Sequence, residues 1–287
     1  MDRDRLLKKL NDILSRTPSR GADAPSSRGP SSPTPPPRRP AADVAALLGG
    51  EVVEQEGITY VRVEAKLSEM TSDAEAFLAN FRYAFEQAGY ADTPDQYHEE
   101  VQRLLEAEAT GIIFLDIETT GLSGARVFLV GSLQYRGGDL SLKQLFARDY
   151  SEEEGIVREV FDDLRGCSAL VTFNGKAFDL PFLQERASFF GIEIQIPAVH
   201  FDLLHEARRR WKNVVPNCRL QTLERILCSR WRPNDVPSEL IPQFYHDFVR
   251  TGDPAEIPRI LYHNALDIIS MCEILLVILR GGRGWAE

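Results

Sequence analysis

The run Ile112-Ile-Phe-Leu-Asp-Ile-Glu-Thr119 constrains the fold more than any other stretch of this chain. It is apolar almost throughout, so it reads as a strand buried in a central sheet. Two carboxylates, Asp116 and Glu118, sit where that core strand emerges. They are two residues apart, and side-chain alternation in a strand puts both on one face. Like charges this close repel and cost stability unless cations lie between them. Thr119, Thr120, Gly121 and Leu122 follow at once. Such a turn presents backbone N–H groups and hydroxyls to a ligand, which makes these four residues candidate substrate contacts.

Around this strand the pattern is mixed. Residues 125–147 read as two strands joined at Arg136-Gly137-Gly138-Asp139, and residues 151–165 as a helix opened by the capping signature Ser151-Glu-Glu-Glu. A second buried strand is expected at 168–173, then a helix through Phe190, then mostly helix to a final one at about Ile257 to Leu279. Strands first and helices packed on a central sheet imply an α/β sandwich, a mixed sheet flanked by helices spanning residues 110–282. Residues 41–109 read as a small α+β appendage. Its hairpin lies within 51–67 around a Glu-Gly turn signal, and helical periodicity follows over 73–88 and 94–109. Residues 17–40 are dense in Pro, Ser, Gly and Arg and cannot bury enough apolar surface to order themselves, so they read as a disordered linker. Residues 1–16 carry Leu6, Leu7, Leu10, Ile13 and Leu14 on one helical stripe, a frayed terminal helix or a docking helix for a protein partner.

Charge narrows the function classes. The net charge is −10, but residues 1–40 hold nine Lys/Arg and four Asp/Glu, a net of +5, which leaves −15 on the rest. So acidic a body argues against a generic nucleic-acid coat protein, whose affinity comes from counterion release. An enzyme acting at one local site remains compatible. The four cysteines, Cys167, Cys218, Cys228 and Cys272, have neither zinc-knuckle nor disulfide spacing. The longest uninterrupted apolar run considered, Ile274 to Leu279, is far too short to span a bilayer, and the N-terminus lacks the apolar core of a secretion signal. A cytoplasmic protein with no membrane partner is the expectation.

Two further motifs carry acids. Asn174-Gly-Lys-Ala-Phe178-Asp179 follows the second buried strand; Gly175 permits a tight turn, and a helix then presents Phe178 and Asp179. On the last helix His263 and Asp267 are four apart and share a face. Tyr262 is five from Asp267 and rotates off that face, so His263 is the better general-base candidate.

Together these motifs resemble the DEDD (DnaQ-like) superfamily of 3′–5′ exonucleases, which has a ribonuclease H-like fold. More narrowly they resemble its YprB-type branch, through DLLHEARRRW, LQTLERIL, LIPQFYHDF and ILYHNALDIISM, over roughly residues 111–279. A weaker likeness lies at 48–63. The resemblance implies that Asp116, Glu118, Asp179 and Asp267 bind two Mg²⁺ or Mn²⁺ ions. A water nucleophile would then attack a phosphodiester of single-stranded DNA or RNA, releasing nucleotides from the 3′ end. Asn174 and Phe178 join Thr119, Thr120, Gly121 and Leu122 as candidate substrate contacts. The last motif departs from the superfamily, whose tyrosine type has Tyr four before the final Asp and whose histidine type has His five before; here the two positions are exchanged. Asp202 is read either as support for the acidic cluster or as the cap of the helix it precedes. Residues 205–232 hold eight Lys/Arg against two Asp/Glu, and Arg208 and Arg209 are candidate contacts to a phosphate backbone, with Trp211 and Trp231 nearby to stack on bases. An inactive nuclease-fold binding module and a structure-specific endonuclease are the alternatives.

If residues 1–40 only tether the chain to a partner, deleting them leaves turnover on short oligonucleotides intact and abolishes capture of that partner. Loss of turnover in the truncated protein would refute the tether.

Overall fold

The computed structural model describes residues 41–70, 73–89, 97–121, 124–232 and 235–281. The expected N-terminal helix (1–16) and linker (17–40) lie outside the described residues. The chain runs α1 (Ala41–Leu48), β1 (Glu51–Gln55), β2 (Ile58–Lys66), α2 (Leu67–Met70), α3 (Ala74–Gly89), α4 (Glu99–Leu105), β3 (Ile112–Thr119), β4 (Val127–Arg136) and β5 (Asp139–Phe146). It continues α5 (Glu153–Arg165), β6 (Ala169–Thr172), α6 (Asp179–Phe190), β7 (Val199–Asp202), α7 (Leu203–Trp211), α8 (Leu220–Leu227), α9 (Ile241–Thr251) and α10 (Ile257–Leu279).

Among the described residues, seven strands form one mixed sheet in the order β1-β2-β5-β4-β3-β6-β7. The pairs from β1 through β3 are antiparallel, whereas β3–β6 and β6–β7 are parallel. The two hairpins with two-residue turns, β1–β2 and β4–β5, pass through residues of positive φ, Glu56 (52°) with Gly57 (81°) and Gly137 (58°) with Gly138 (86°). This is the turn whose twist matches that of the flanking strands.

The 41–109 segment shares the sheet and core of the rest of the chain instead of standing apart as an appendage. Strand β2 pairs with β5 from Val61↔Phe146 to Lys66↔Ser141. Phe77 and Phe81 of α3 and Leu104 of α4 join the same apolar cluster as Met271, Ile274 and Leu275 of α10. The hairpin signal was local, whereas the pairing of β2 with β5 is long-range and has no signature in either strand alone.

Alternation along β3 sorts the core. Ile112 and Phe114 face the layer containing α3, α4, α7, α8 and α10. Ile113, Leu115 and Ile117 face the layer containing α1, α5, α6 and α9. Asp116 and Glu118 therefore continue the face on which α10 packs. Helix α10 is long and apolar enough to cross a membrane by length and composition alone, contrary to the count of uninterrupted apolar residues. It is nevertheless the core helix of this fold, buried along nearly its whole length. Its polar residues, His263, Asn264 and Asp267, break up the apolar runs without exposing the helix.

The start of α5 also differs from its sequence signature. Ser151 does not cap it; its hydroxyl donates to Asp149 Oδ1 at 2.5 Å, and the helix begins at Glu153. Glu152 is held by the Arg148 backbone N–H (2.7 Å) and guanidinium Nε (2.9 Å). Glu153 accepts from the Val127 N–H (2.9 Å) and from Arg186 (2.7 and 2.8 Å), so both acids serve tertiary contacts instead of a capping box.

Gly131 of β4 lies opposite Asp116 in the ladder. A Cβ there would stand 2.1 Å from Asn264 Oδ1 and 2.3 Å from Ile268 Cδ1, so α10 reaches the sheet only because this residue has no side chain. Gly131→Ala is expected to destabilise the protein by about 1–3 kcal/mol, read as a lower urea midpoint. Gly166→Ala, whose nearest contact is at 3.7 Å, serves as the control and should leave the midpoint unchanged. Equal midpoints for both variants would contradict the close approach.

Candidate active site

Strand β3 outruns its parallel neighbour. Its pairing with β6 ends at Phe114↔Val171, so Asp116 and Glu118 lie beyond that ladder, at the carboxyl end of the parallel strands. Open α/β sheets place their crevices there. Asp179 is the first residue of α6, which starts after the turn that leaves β6. His263 and Asp267 are on α10. Three elements distant in sequence thus bring the four predicted carboxylates towards one place.

Each Asp is tethered through one oxygen. Asp116 Oδ2 accepts from Asn264 Nδ2 at 2.8 Å, Asp179 Oδ1 from the Ile117 N–H at 3.2 Å, and Asp267 Oδ1 from Arg232 Nη1 at 2.5 Å. A carboxylate offers about four acceptor positions, so these bonds orient the groups and leave lone pairs free. Burial, then the charges of Asp267, Asp179 and Glu118, hold Asp116 well above the usual carboxylate range. Burial likewise pushes Glu118 up to about 8, with Asp267, Asp179 and Asp235 adding to the shift against the opposing influence of His263. Asp179 is pushed up to about 7, again chiefly by burial, although two backbone N–H groups oppose the rise. The described residues hold no ready-made cage of three His, Cys, Asp or Glu side chains. The donor set is all carboxylate oxygen, which suits a hard divalent cation such as Mg²⁺ or Mn²⁺, and a cation would relieve the mutual repulsion recorded in these shifts.

His263 is buried at 2% exposure. Its Nδ1 lies 2.9 Å from Asp235 Oδ1, and its Nε2 lies 3.4 Å from both Asp267 Oδ2 and Ser238 Oγ. Burial works against its protonated form, but the Asp235 hydrogen bond and the charges of Asp267, Asp235 and Glu118 outweigh it and raise the pKa. Tyr262 is also buried, and burial pushes its hydroxyl up, away from the range of a neutral-pH base.

The other candidates divide. Asp202 caps α7 by accepting from the Leu204 N–H at 3.0 Å, and it accepts from the N–H groups of Asn174 (2.9 Å) and Lys176 (3.1 Å). It thereby fixes the turn that delivers Asp179. Asn174 has a left-handed φ of 68° and an exposed side chain. Phe178 is half-buried, its ring 5.8 Å from that of Phe182. The Thr119 hydroxyl donates to Gly121 O (2.8 Å), and the Thr120 hydroxyl accepts from the Arg126 N–H (2.9 Å). Both therefore shape the loop after β3, and Leu122 lies outside the described residues. Arg209 is committed to Glu100 (2.6 Å) and Glu206 (2.7 Å), while Arg208 is exposed. Trp211 is buried at 7%, which removes it as a stacking surface.

Sequence reasoning missed Asn264, Arg232 and Asp235. Asn264 stands three before Asp267 and so shares its face, a signal that was present. It bridges the sheet to α10, accepting from Gln144 Nε2 (2.8 Å) and donating to Asp116. Arg232 was one cation in a basic run; its guanidinium instead joins Asp267 to Glu224 and Asp235. Asp235 sits in irregular chain, where no periodicity could mark it.

Residues 113–278 match the family model RNase_H_2, described as RNase_H superfamily. Over 172 residues the chain is 31% identical to the Bacillus subtilis (strain 168) protein named "Uncharacterized protein YprB", covering 58% of this chain and 41% of that one. The chain thus spans less than half the length of this relative. A family B DNA polymerase from the hyperthermophilic archaeon Pyrobaculum calidifontis aligns in structure with a TM-score of 0.47 and 16% identity, over 59% of this chain and 24% of that one. The family match takes in more than half of the 287 residues and contains all four carboxylates, so the chain belongs to the RNase H superfamily.

Proposed function

We propose that this protein is a divalent-metal-dependent nuclease that removes nucleotides from the 3′ end of single-stranded DNA or RNA. The observation that carries this reading is the convergence of Asp116, Glu118, Asp179 and Asp267, from β3, α6 and α10, with burial and neighbouring carboxylates holding the protons of the first three more tightly and Arg232 countering the charge of Asp267. Such a set serves little purpose in a core unless a cation joins it. Two Mg²⁺ or Mn²⁺ ions held by these four residues would supply Lewis acidity, activating a water nucleophile and stabilising the leaving oxygen. The 3′–5′ direction rests on the resemblance of the three motifs to exonucleases.

The protein's own groups have distinct parts in this scheme. His263 accepts the proton of the attacking water at Nε2, while Asp235 holds Nδ1 and fixes the tautomer. Asn264 aims Asp116, and the Ile117 N–H aims Asp179. Arg232 offsets the charge of Asp267. Asp202 keeps the Asn174 turn closed beneath Asp179.

The direct test is Mn²⁺-supplemented degradation of single-stranded DNA and RNA labelled at the 5′ end. A ladder shortening from the 3′ end, absent in Asp116→Ala, is the expected result. Metal-dependent cuts inside a strand with blocked ends would favour an endonuclease, and no product from either strand would favour a binding module. His263→Gln is expected to lower kcat by about 10²–10⁴-fold, the usual worth of a general base, and Asp116→Ala by more. A His263→Gln protein as active as wild type would remove it as the base.

The raised carboxylate pKa values also predict how metal-free stability depends on pH. Glu118 moves from 4.5 to about 8 and Asp179 from 3.8 to about 7, so the fold binds protons that the unfolded chain has released. The contribution of these two groups to stability should therefore be full below about pH 4 and be lost as pH rises towards about 8. In EDTA at pH 8, Asp116→Asn should have a higher urea midpoint than wild type, and the gap should narrow at pH 5. A variant less stable than wild type at pH 8 would refute the repulsion.

A further inference from the structure

Trp231 is 64% exposed, an unusual position for the largest apolar side chain. Its placement is enforced from both sides. Arg230 is tied to Glu273 through Nε (2.9 Å) and Nη2 (2.5 Å). Arg232 is tied to Glu224 and Asp267, both at 2.5 Å. With both neighbours anchored inward, Trp231 faces outward, one Cα step of about 3.8 Å from a residue that touches the carboxylate cluster. The Arg225 guanidinium stands 5.7 Å from its ring centroid, covering one face and leaving the other for a planar partner.

The surrounding charge selects the partner. Arg208, Lys212, Arg219 and Arg225 are all exposed in this segment, whereas Arg209 is paired with Glu100 and Glu206, and Arg210 with Glu206. Residues 41–287 carry a net charge of −15, so a run of exposed cations within 205–232, one of them on the Trp231 ring, is out of keeping with the acidic balance of the rest. An aromatic platform flanked by cations is how proteins hold unpaired bases and their phosphates without reading sequence.

We propose that Trp231 is a base-stacking platform for a single-stranded nucleic acid, with Arg225 backing the ring and the exposed cations meeting the phosphates. The proposal rests on the nuclease reading above and deepens it. The strand bound at the cluster is steadied by a nucleotide stacked at its rim, so the enzyme should prefer oligonucleotides over isolated nucleotides.

The test compares wild type, Trp231→Ala and Trp231→Phe on a 15-nucleotide single strand and on thymidine 5′-(p-nitrophenyl phosphate), a diester too short to reach the platform. Trp231→Ala should raise KM for the oligonucleotide about tenfold, the usual order of one lost stack, with kcat within about twofold. Trp231→Phe should restore most of the loss, and neither change should alter hydrolysis of the short diester. If Trp231→Ala leaves KM for the oligonucleotide unchanged while wild type is active, the platform is wrong and the nuclease reading stands. If Trp231→Ala instead impairs both substrates equally, the residue is structural and the platform is again wrong. If wild type hydrolyses neither substrate, the nuclease reading fails and takes the platform with it.

Discussion

Everything at the site depends on how closely α10 lies against the sheet. Gly131 has no side chain where one would strike Asn264 and Ile268, and Asp116 is its ladder partner on β3. Asn264 occupies the gap. Its carbonyl oxygen accepts from Gln144 of β5, and its amide nitrogen reaches the carboxylate of Asp116. One buried amide thus ties two strands and the last helix into a single register, and places His263 and Asp267 relative to Asp116. A wider contact would leave the same residues in the core but with their carboxylates out of each other's reach.

That closeness has an electrostatic cost. Burial raises the pKa of Asp116, Glu118 and Asp179, the charge of Asp267 adds to the rise in each, and ionising them works against the fold. The protein offsets part of this with Arg232 at Asp267 and with His263 between Asp235 and Asp267. Removing a cation from such a network leaves an uncompensated buried charge, which is far more harmful than never having had the pair. The apolar layers on both faces of the sheet supply the stability that lets the strained centre persist, a division common where function demands local conflict.

Much of this was legible in the sequence because it was local or periodic. The strand through Asp116, the hairpin at Gly137-Gly138, the final helix and the spacing of His263 and Asp267 all follow from short-range rules. Three things were not. The union of β2 with β5 is a long-range pairing, so residues 41–109 looked like a separate unit. Ser151 was read as a cap because the rule sees only the next three residues, whereas Arg148, Val127 and Arg186 decide where Glu152 and Glu153 point. The basic run at 205–232 looked uniform, yet tertiary structure sorts it into cations paired with carboxylates, such as Arg209, Arg230 and Arg232, and exposed ones such as Arg208. Asp235 lay beyond any rule of spacing.

The central claim is that four carboxylates from three elements form one metal-binding centre. A crystal of the protein soaked in Mn²⁺, with an anomalous difference map recorded, tests it most directly. The account predicts peaks within bonding distance of Asp116, Glu118, Asp179 and Asp267, and their loss in Asp116→Ala. A map with Mn²⁺ bound elsewhere and nothing between these four residues would contradict it.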